Sequence, residues 1–117
     1  MKVLVVDDSP FIFKAVKKVL EPLGYDFCGH ATNGCQALEF FEKHHPDIIT
    51  MDITMPVMDG IEASKLILNK KPDANIIMMS AMGDEQLINE AKKIGVKYFV
   101  NKPFTSQELV YAIERAK

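Results

Sequence analysis

Three aspartates, a serine and a lysine stand where apolar runs of this chain end. Asp7 and Asp8 follow "KVLVV" (2–6), and Asp52 follows "DIITM" (47–51). Ser80 comes at the end of "NIIMMSA" (75–81), and Lys102 comes just after "KYFV" (97–100). A charge at the tip of a run that reads as a buried strand is costly unless something pairs with it. Three carboxylates gathered in one place repel, and their pKa values rise without a counter-charge. A hard divalent cation relieves that repulsion, and Mg²⁺ prefers oxygen ligands with several retained waters. A carboxylate beside a metal, with a hydroxyl and an ammonium opposite, is a set suited to phosphoryl transfer. Asp52 would attack, while Mg²⁺, Ser80 and Lys102 would bind the phosphoryl oxygens. The competing reading is a solvated acidic rim closed by a lysine salt bridge.

Whether these residues meet depends on the elements that carry them. Short β-rich runs alternate with helical patterns five times. "KVLVV" reads as a buried strand. Pro10 opens a helix in which Ile12, Ala15, Val16, Val19, Leu20 and Leu23 recur at helical spacing, ended by Pro22 and Gly24. "YDFCGHA" (25–31) is a second strand, and Asn33 can cap a helix that turns Ala37, Leu38 and Phe41 inward. The strand before Asp52 leads into a helix from Gly60 to Lys70, stopped near Pro72. After the fourth strand, Leu87, Ile88, Ala91 and Ile94 mark a helix that Gly95 terminates. After the fifth, Thr105 and Glu108 have the capping-box spacing, with Leu109, Val110 and Ile113 on one face.

Five βα units predict an α/β fold, a doubly wound parallel sheet with helices on both faces. The flavodoxin-like order 2-1-3-4-5 is the common five-strand solution, with a crevice at the carboxyl ends of strands 1 and 3. In that order the strands bearing the five polar residues are neighbours.

Composition narrows the alternatives. Apolar residues make up 48% of 117, which fits one globular domain, here residues 1–117, and argues against disorder. Net charge is −2 and the basic residues are scattered, so no footprint for nucleic acid is present. The apolar runs fall far short of the roughly 18 residues of a membrane span. The start, "MKVLVVDD", meets two acids at once and does not read as a signal peptide, so a soluble, cytoplasmic protein is expected. Cys28 and Cys35 are expected as separate thiols, and His30, His44 and His45 make no metal site.

The motifs "VVDDSP", "DIITMDITMPVMDG", "SAMG" and "NKPF" each sit at the end of an expected strand. On them the chain resembles the response-regulator receiver domains over its full length, and among these the single-domain (CheY-like) chemotaxis regulators. The resemblance implies a two-component phosphorelay protein in which Asp52 accepts a phosphoryl group from a phosphohistidine of a sensor histidine kinase or phosphotransfer domain. It implies Mg²⁺ held directly by Asp8 and Asp52, by Asp7 mainly through a water, and by the backbone carbonyl of Thr54. Ser80 and Lys102 would hold the phosphoryl oxygens. Ser80 stands where such domains often carry Thr. Phe99 occupies the aromatic switch position, coupled to Ser80, and a downstream protein would bind the face of the fourth helix, fifth strand and fifth helix. Thr54 and Met82 take two positions that modulate phosphoryl lifetime. Met51, Met78 and Met79 are expected in the core, and Met55, Met58 and Met82 along the site loops. A cis Lys102–Pro103 bond is expected as well.

The implied protein is a phospho-acceptor for signalling that assists its own phosphoryl transfer and hydrolysis, with no nucleic acid or membrane as direct partner. Haloacid-dehalogenase-type phosphatases also use a strand-end Asp with Mg²⁺, but need a second Asp two residues on as general acid; that position is Thr54. The complete polar set speaks against an interaction module with a vestigial site. The chain ends at "IERAK", directly after the fifth helix, which favours a stand-alone regulator over a receiver cut from a longer, for example transcriptional, regulator.

Overall fold

A computed structural model describes all residues 1–117. Its strands are β1 (Lys2–Val6), β2 (Asp26–Ala31), β3 (Ile48–Asp52), β4 (Ile76–Ser80) and β5 (Tyr98–Asn101). The helices are α1 (Pro10–Leu20), α2 (Gly34–His44), α3 (Gly60–Lys70), α4 (Glu85–Lys93) and α5 (Ser106–Ala116). The strands form one parallel sheet in the order β2-β1-β3-β4-β5, as expected. No helix is long and apolar enough to cross a membrane.

Strand alternation splits the core into two layers. Leu4, Val6, Ile49, Met51 and Met78 pack against one face with Ala37, Phe41, Ala63, Ile67 and Ala91 of α2, α3 and α4. Val3, Val5, Ile48, Ile77, Met79 and Val100 pack on the other face with Val16 and Leu20 of α1 and Leu109, Ala112 and Ile113 of α5. Caps fix where the helices begin. Asn33 Oδ1 accepts from Gln36 N–H, Asp59 Oδ1 from Glu62 N–H, and Thr105 and Glu108 make the reciprocal capping box. His45, just past α2, takes a left-handed conformation at φ 48°.

Two expectations change. Leu23 does not continue the buried stripe of α1; it falls in a separate 3₁₀ turn, Glu21–Leu23, and is exposed. Pro22 lacks the N–H that a continuing helix would need, so the stripe ends at Leu20. Met55 is buried in the α2–α3–α4 layer, in one cluster with Ile53 and Ala63, because its apolar side chain is better placed in the core than along an exposed loop. Met58 packs against the same layer, and only Met82 of these three stands in solvent. Cys28 and Cys35 are both free.

One residue of the β3–α3 loop is strained. Val57 has φ 70°, inside a tight turn closed by Met58 N–H donating to the Pro56 carbonyl at 2.7 Å. A β-branched residue is an outlier there, and Val57 is 83% exposed, so packing returns little. Relief of that strain should outweigh the extra freedom glycine gives the unfolded chain. Val57→Gly should therefore stabilise the protein by about 1 kcal/mol, read as a higher urea midpoint. A lower midpoint would mean the turn is not strained.

Candidate functional site

The acids gather because two neighbouring strands, β1 and β3, end side by side. Asp7 continues the pairing of β1, donating its N–H to the Ala31 carbonyl at 2.9 Å, and is 1% exposed. Its Oδ1 accepts the Ser9 N–H at 2.9 Å, and its Oδ2 accepts Lys102 Nζ at 2.7 Å. Asp8, the next residue, faces solvent. Asp52 is the last residue of β3, opposite Met79 in register, and 9% exposed. Lys102 follows β5 through the expected cis bond to Pro103, and its Nζ lies 3.0 Å from Asp52 Oδ1. One carboxylate oxygen from each of Asp7, Asp8 and Asp52 lies within 4.8 Å of the others.

The charges do not balance. Three carboxylates against one ammonium leave two negative charges in a partly buried site. Burial, then the charge of Asp7, hold the Asp52 carboxyl above the usual aspartate pKa, although Lys102 pulls it back; Asp8 adds to the rise. Burial alone would lower the pKa of Lys102. The hydrogen bonds and charges of Asp7 and Asp52 more than reverse this, so its ammonium is held more firmly than an ordinary lysine's.

The remaining expected residues take their places around this cluster. Ser80 ends β4, 1% exposed, and its Oγ–H donates to Asn101 Oδ1 at 2.9 Å. Thr54 is exposed two residues beyond Asp52, and Met82 is fully in solvent on the loop after β4. Phe99 on β5 is half-buried against the α2–α3–α4 layer, with Lys92 Nζ 5.8 Å from its ring centre.

Three supporting residues escape a reading of the sequence. Asn101 engages Ser80, and nothing but its place before Lys102 signals it. His30 Nε2 meets the Asp7 carbonyl at 2.8 Å while its ring stacks on Phe13. Gly60, the first residue of α3, donates its N–H to the Ile53 carbonyl at 2.8 Å, and a Cβ there would overlap the Asp52 carbonyl oxygen. Here the signal was present, since a glycine following "PVMD" marks a close backbone approach.

Residues 3–114 match the family described as the response regulator receiver domain. The chain belongs to that family. This receiver is 45% identical over 114 residues to the chemotaxis protein CheY of Thermotoga maritima, covering 97% of this chain and 95% of the relative. It is 42% identical over 114 residues to the chemotaxis protein CheY of Bacillus subtilis, with the same coverage. Among solved structures, a chain of the CheX–CheY–BeF3–Mg²⁺ complex from Borrelia burgdorferi superposes with a TM-score of 0.92 at 34% identity, covering 98% of the receiver and 87% of that chain. The response regulator domain of Thermotoga maritima CheB gives 0.88 at 37% identity, covering 99% and 95%. The receiver is thus homologous to the chemotaxis regulators of two-component phosphorelays, and receiver domains use Mg²⁺ at an Asp cluster of this kind.

The raised pKa of Asp52 sets a pH dependence. An acid whose folded pKa lies above its unfolded value binds more protons when folded. Stability is therefore lost as pH rises from the unfolded value, about 3.9, through the folded one, above which the full penalty is present. Without divalent cations, Asp52→Asn should melt a few degrees above the parent at pH 7. The gap should close as pH falls below about 4. Equal melting at both pH values would show that the Asp52 charge costs the fold nothing.

Proposed function

We propose that Asp52 is the phosphoryl acceptor of this receiver and that Asp7, Asp8 and the Thr54 carbonyl complete a Mg²⁺ site with it. The observation that carries the reading is the three-carboxylate cluster bridged by Lys102. Its oxygens lie within 4.8 Å of one another, and the two uncompensated negative charges match a divalent cation. Both Asp7 oxygens are already engaged, by Ser9 and Lys102. That favours Asp8 and Asp52 as direct ligands, with Asp7 acting through a water. When bound, Mg²⁺ would neutralise the acids and withdraw charge from the phosphoryl oxygens.

An Asp52 carboxylate oxygen attacks phosphorus on a phosphohistidine. The P–N bond breaks, the imidazole nitrogen keeps the electron pair, and an acyl phosphate forms on Asp52. Lys102 already lies against Asp52 and needs only to exchange a carboxylate oxygen for a phosphoryl oxygen. Ser80 supplies a hydroxyl at the neighbouring strand end. With Thr54 where a phosphatase would need its general acid, the receiver turns over no separate substrate and acts only on its own acceptor.

Output runs through Phe99. A phosphoryl on Asp52 adds nearly two negative charges and draws in Ser80 and Lys102, which vacates space that the Phe99 ring can enter. A groove of about 450 Å³ between α4, β5 and α5 is lined by Phe99, Lys92, Lys97, Tyr111 and Arg115. Its basic and aromatic wall suits a partner segment with acidic and apolar side chains. The CheY of Borrelia burgdorferi is in a complex with CheX, BeF3 and Mg²⁺, which supports a protein partner. The donor is a sensor histidine kinase or phosphotransfer domain, and the setting is cytoplasmic chemotaxis signalling.

Incubation with a labelled phosphorylated histidine donor should label the parent only with Mg²⁺ present, and Asp52→Asn should take no label. Labelling of Asp52→Asn would assign the acceptor elsewhere. Millimolar Mg²⁺ should also raise the unfolding midpoint, and Asp8→Asn should erase most of that rise; a parent indifferent to Mg²⁺ would remove the metal site. Beryllofluoride with Mg²⁺ should shift the Phe99 ring resonances in NMR. A ring that keeps one environment while partner affinity changes would place the switch on another surface.

A further inference from the structure

Ser80 and Asn101 stand directly opposite each other in the β4–β5 register. The pair is closed twice. Lys102 N–H donates to the Ser80 carbonyl at 2.7 Å, and the Ser80 hydroxyl donates to Asn101 Oδ1 at 2.9 Å. The two side chains differ in burial, since Ser80 is 1% exposed while Asn101 is open to solvent. A serine hydroxyl has a single proton to donate. It cannot serve Asn101 and a phosphoryl oxygen on Asp52 together.

We propose that Asn101 is a positioning residue that competes with the phosphoryl group for the Ser80 hydroxyl, and so sets how readily the receiver enters its phosphorylated state. This rests on the reading of Ser80 as a phosphoryl ligand. In the unphosphorylated protein, Asn101 satisfies a buried hydroxyl that would otherwise be left without an acceptor. On phosphorylation the hydroxyl exchanges a neutral amide oxygen for an anionic one, and a charge-assisted bond is roughly twice as strong. The Asn101 amide, being exposed, passes its freed oxygen to water at little cost. The exchange runs forward, yet its yield is reduced by whatever the Ser80–Asn101 bond was worth.

The same strand carries the consequence onward. Asn101 and Phe99 are two residues apart on β5 and share a face of the sheet, opposite Ser80 and Met78. A hydroxyl held at Asn101 keeps the end of β4 tied to β5 beside the aromatic ring. A hydroxyl released to the phosphoryl group removes the side-chain half of that tie, beside Phe99, and leaves only the backbone bond from Lys102 N–H to the Ser80 carbonyl.

The test is a double-mutant cycle read by beryllofluoride titration in saturating Mg²⁺. Asn101→Ala should bind beryllofluoride about three- to tenfold tighter than the parent, the range expected for one net hydrogen bond. Its melting midpoint should fall in the free protein and recover with beryllofluoride bound. Ser80→Ala should bind more weakly, and adding Asn101→Ala to it should change nothing further, because the competition then has no object. General loosening of the strand would weaken binding, so it cannot imitate the tightening. Asn101→Val, which favours the strand, repeats the measurement should Ala disturb β5. If Ser80→Ala weakens binding but neither Asn101 variant tightens it, the competition is overturned and Ser80 remains a ligand. Tightening that persists in the Ser80→Ala background also overturns it. If Ser80→Ala leaves affinity unchanged, the ligand reading fails and the competition falls with it.

Discussion

The ammonium of Lys102 sits between the carboxylates of Asp7 and Asp52, and the carboxyl end of the sheet is built around that contact. β5 and β3 are separated by two strand spacings, each about 4.8 Å, and β1 lies one further on. Only a long unbranched stem leaving the end of β5 reaches across β4 to both acids. The contact lets two carboxylates be buried, one of them almost completely, in a sheet whose interior is mainly hydrocarbon. It leaves the cluster anionic, so the fold tolerates the acids without satisfying them. A site in that condition takes a cation readily and rewards an incoming group that redistributes its charge.

The sheet also divides the chemistry. Asp52 alternates with Ile48, on the side of α1 and α5, whereas Ser80 alternates with Met78, on the side of α3 and α4. An event at the acids thus meets the hydroxyl only at the sheet's end, where the two faces run together. From there Ser80, Asn101 and Phe99 form a line along β4 and β5 on the far side. Ser80 thus stands at the sheet's end beside the acids, on the face that carries the Phe99 ring.

Much of this was legible in the sequence, because it depends on features that sequence expresses directly. Strands buried on both faces read as unbroken apolar runs, and a polar residue that ends such a run must face the crevice, so Asp7, Asp8, Asp52, Ser80 and Lys102 could be placed together. The illegible parts depend on contacts between segments far apart in the chain. Leu23 matched the helical period of α1, but the period does not say where a proline ends the helix. Met55 was expected along the site loops because nothing in the loop's sequence signals that its side chain is buried in the core. Asn101 was hidden because strand register, not residue type, puts its amide opposite Ser80. His30 meets the Asp7 carbonyl only through the β1–β2 pairing.

Gly60 gives β3 a hard stop. With no side chain, the first turn of α3 sits directly against the carbonyl of Asp52, and helix and strand end share one wall. The backbone at the end of β3 therefore has no room to shift toward α3. The loops leaving β4 and β5, by contrast, are open to solvent at Met82 and Asn101. The glycine thereby works as an anvil. It holds the α3 side of β3 rigid, so whatever freedom this end of the sheet has lies toward the edge that carries Phe99.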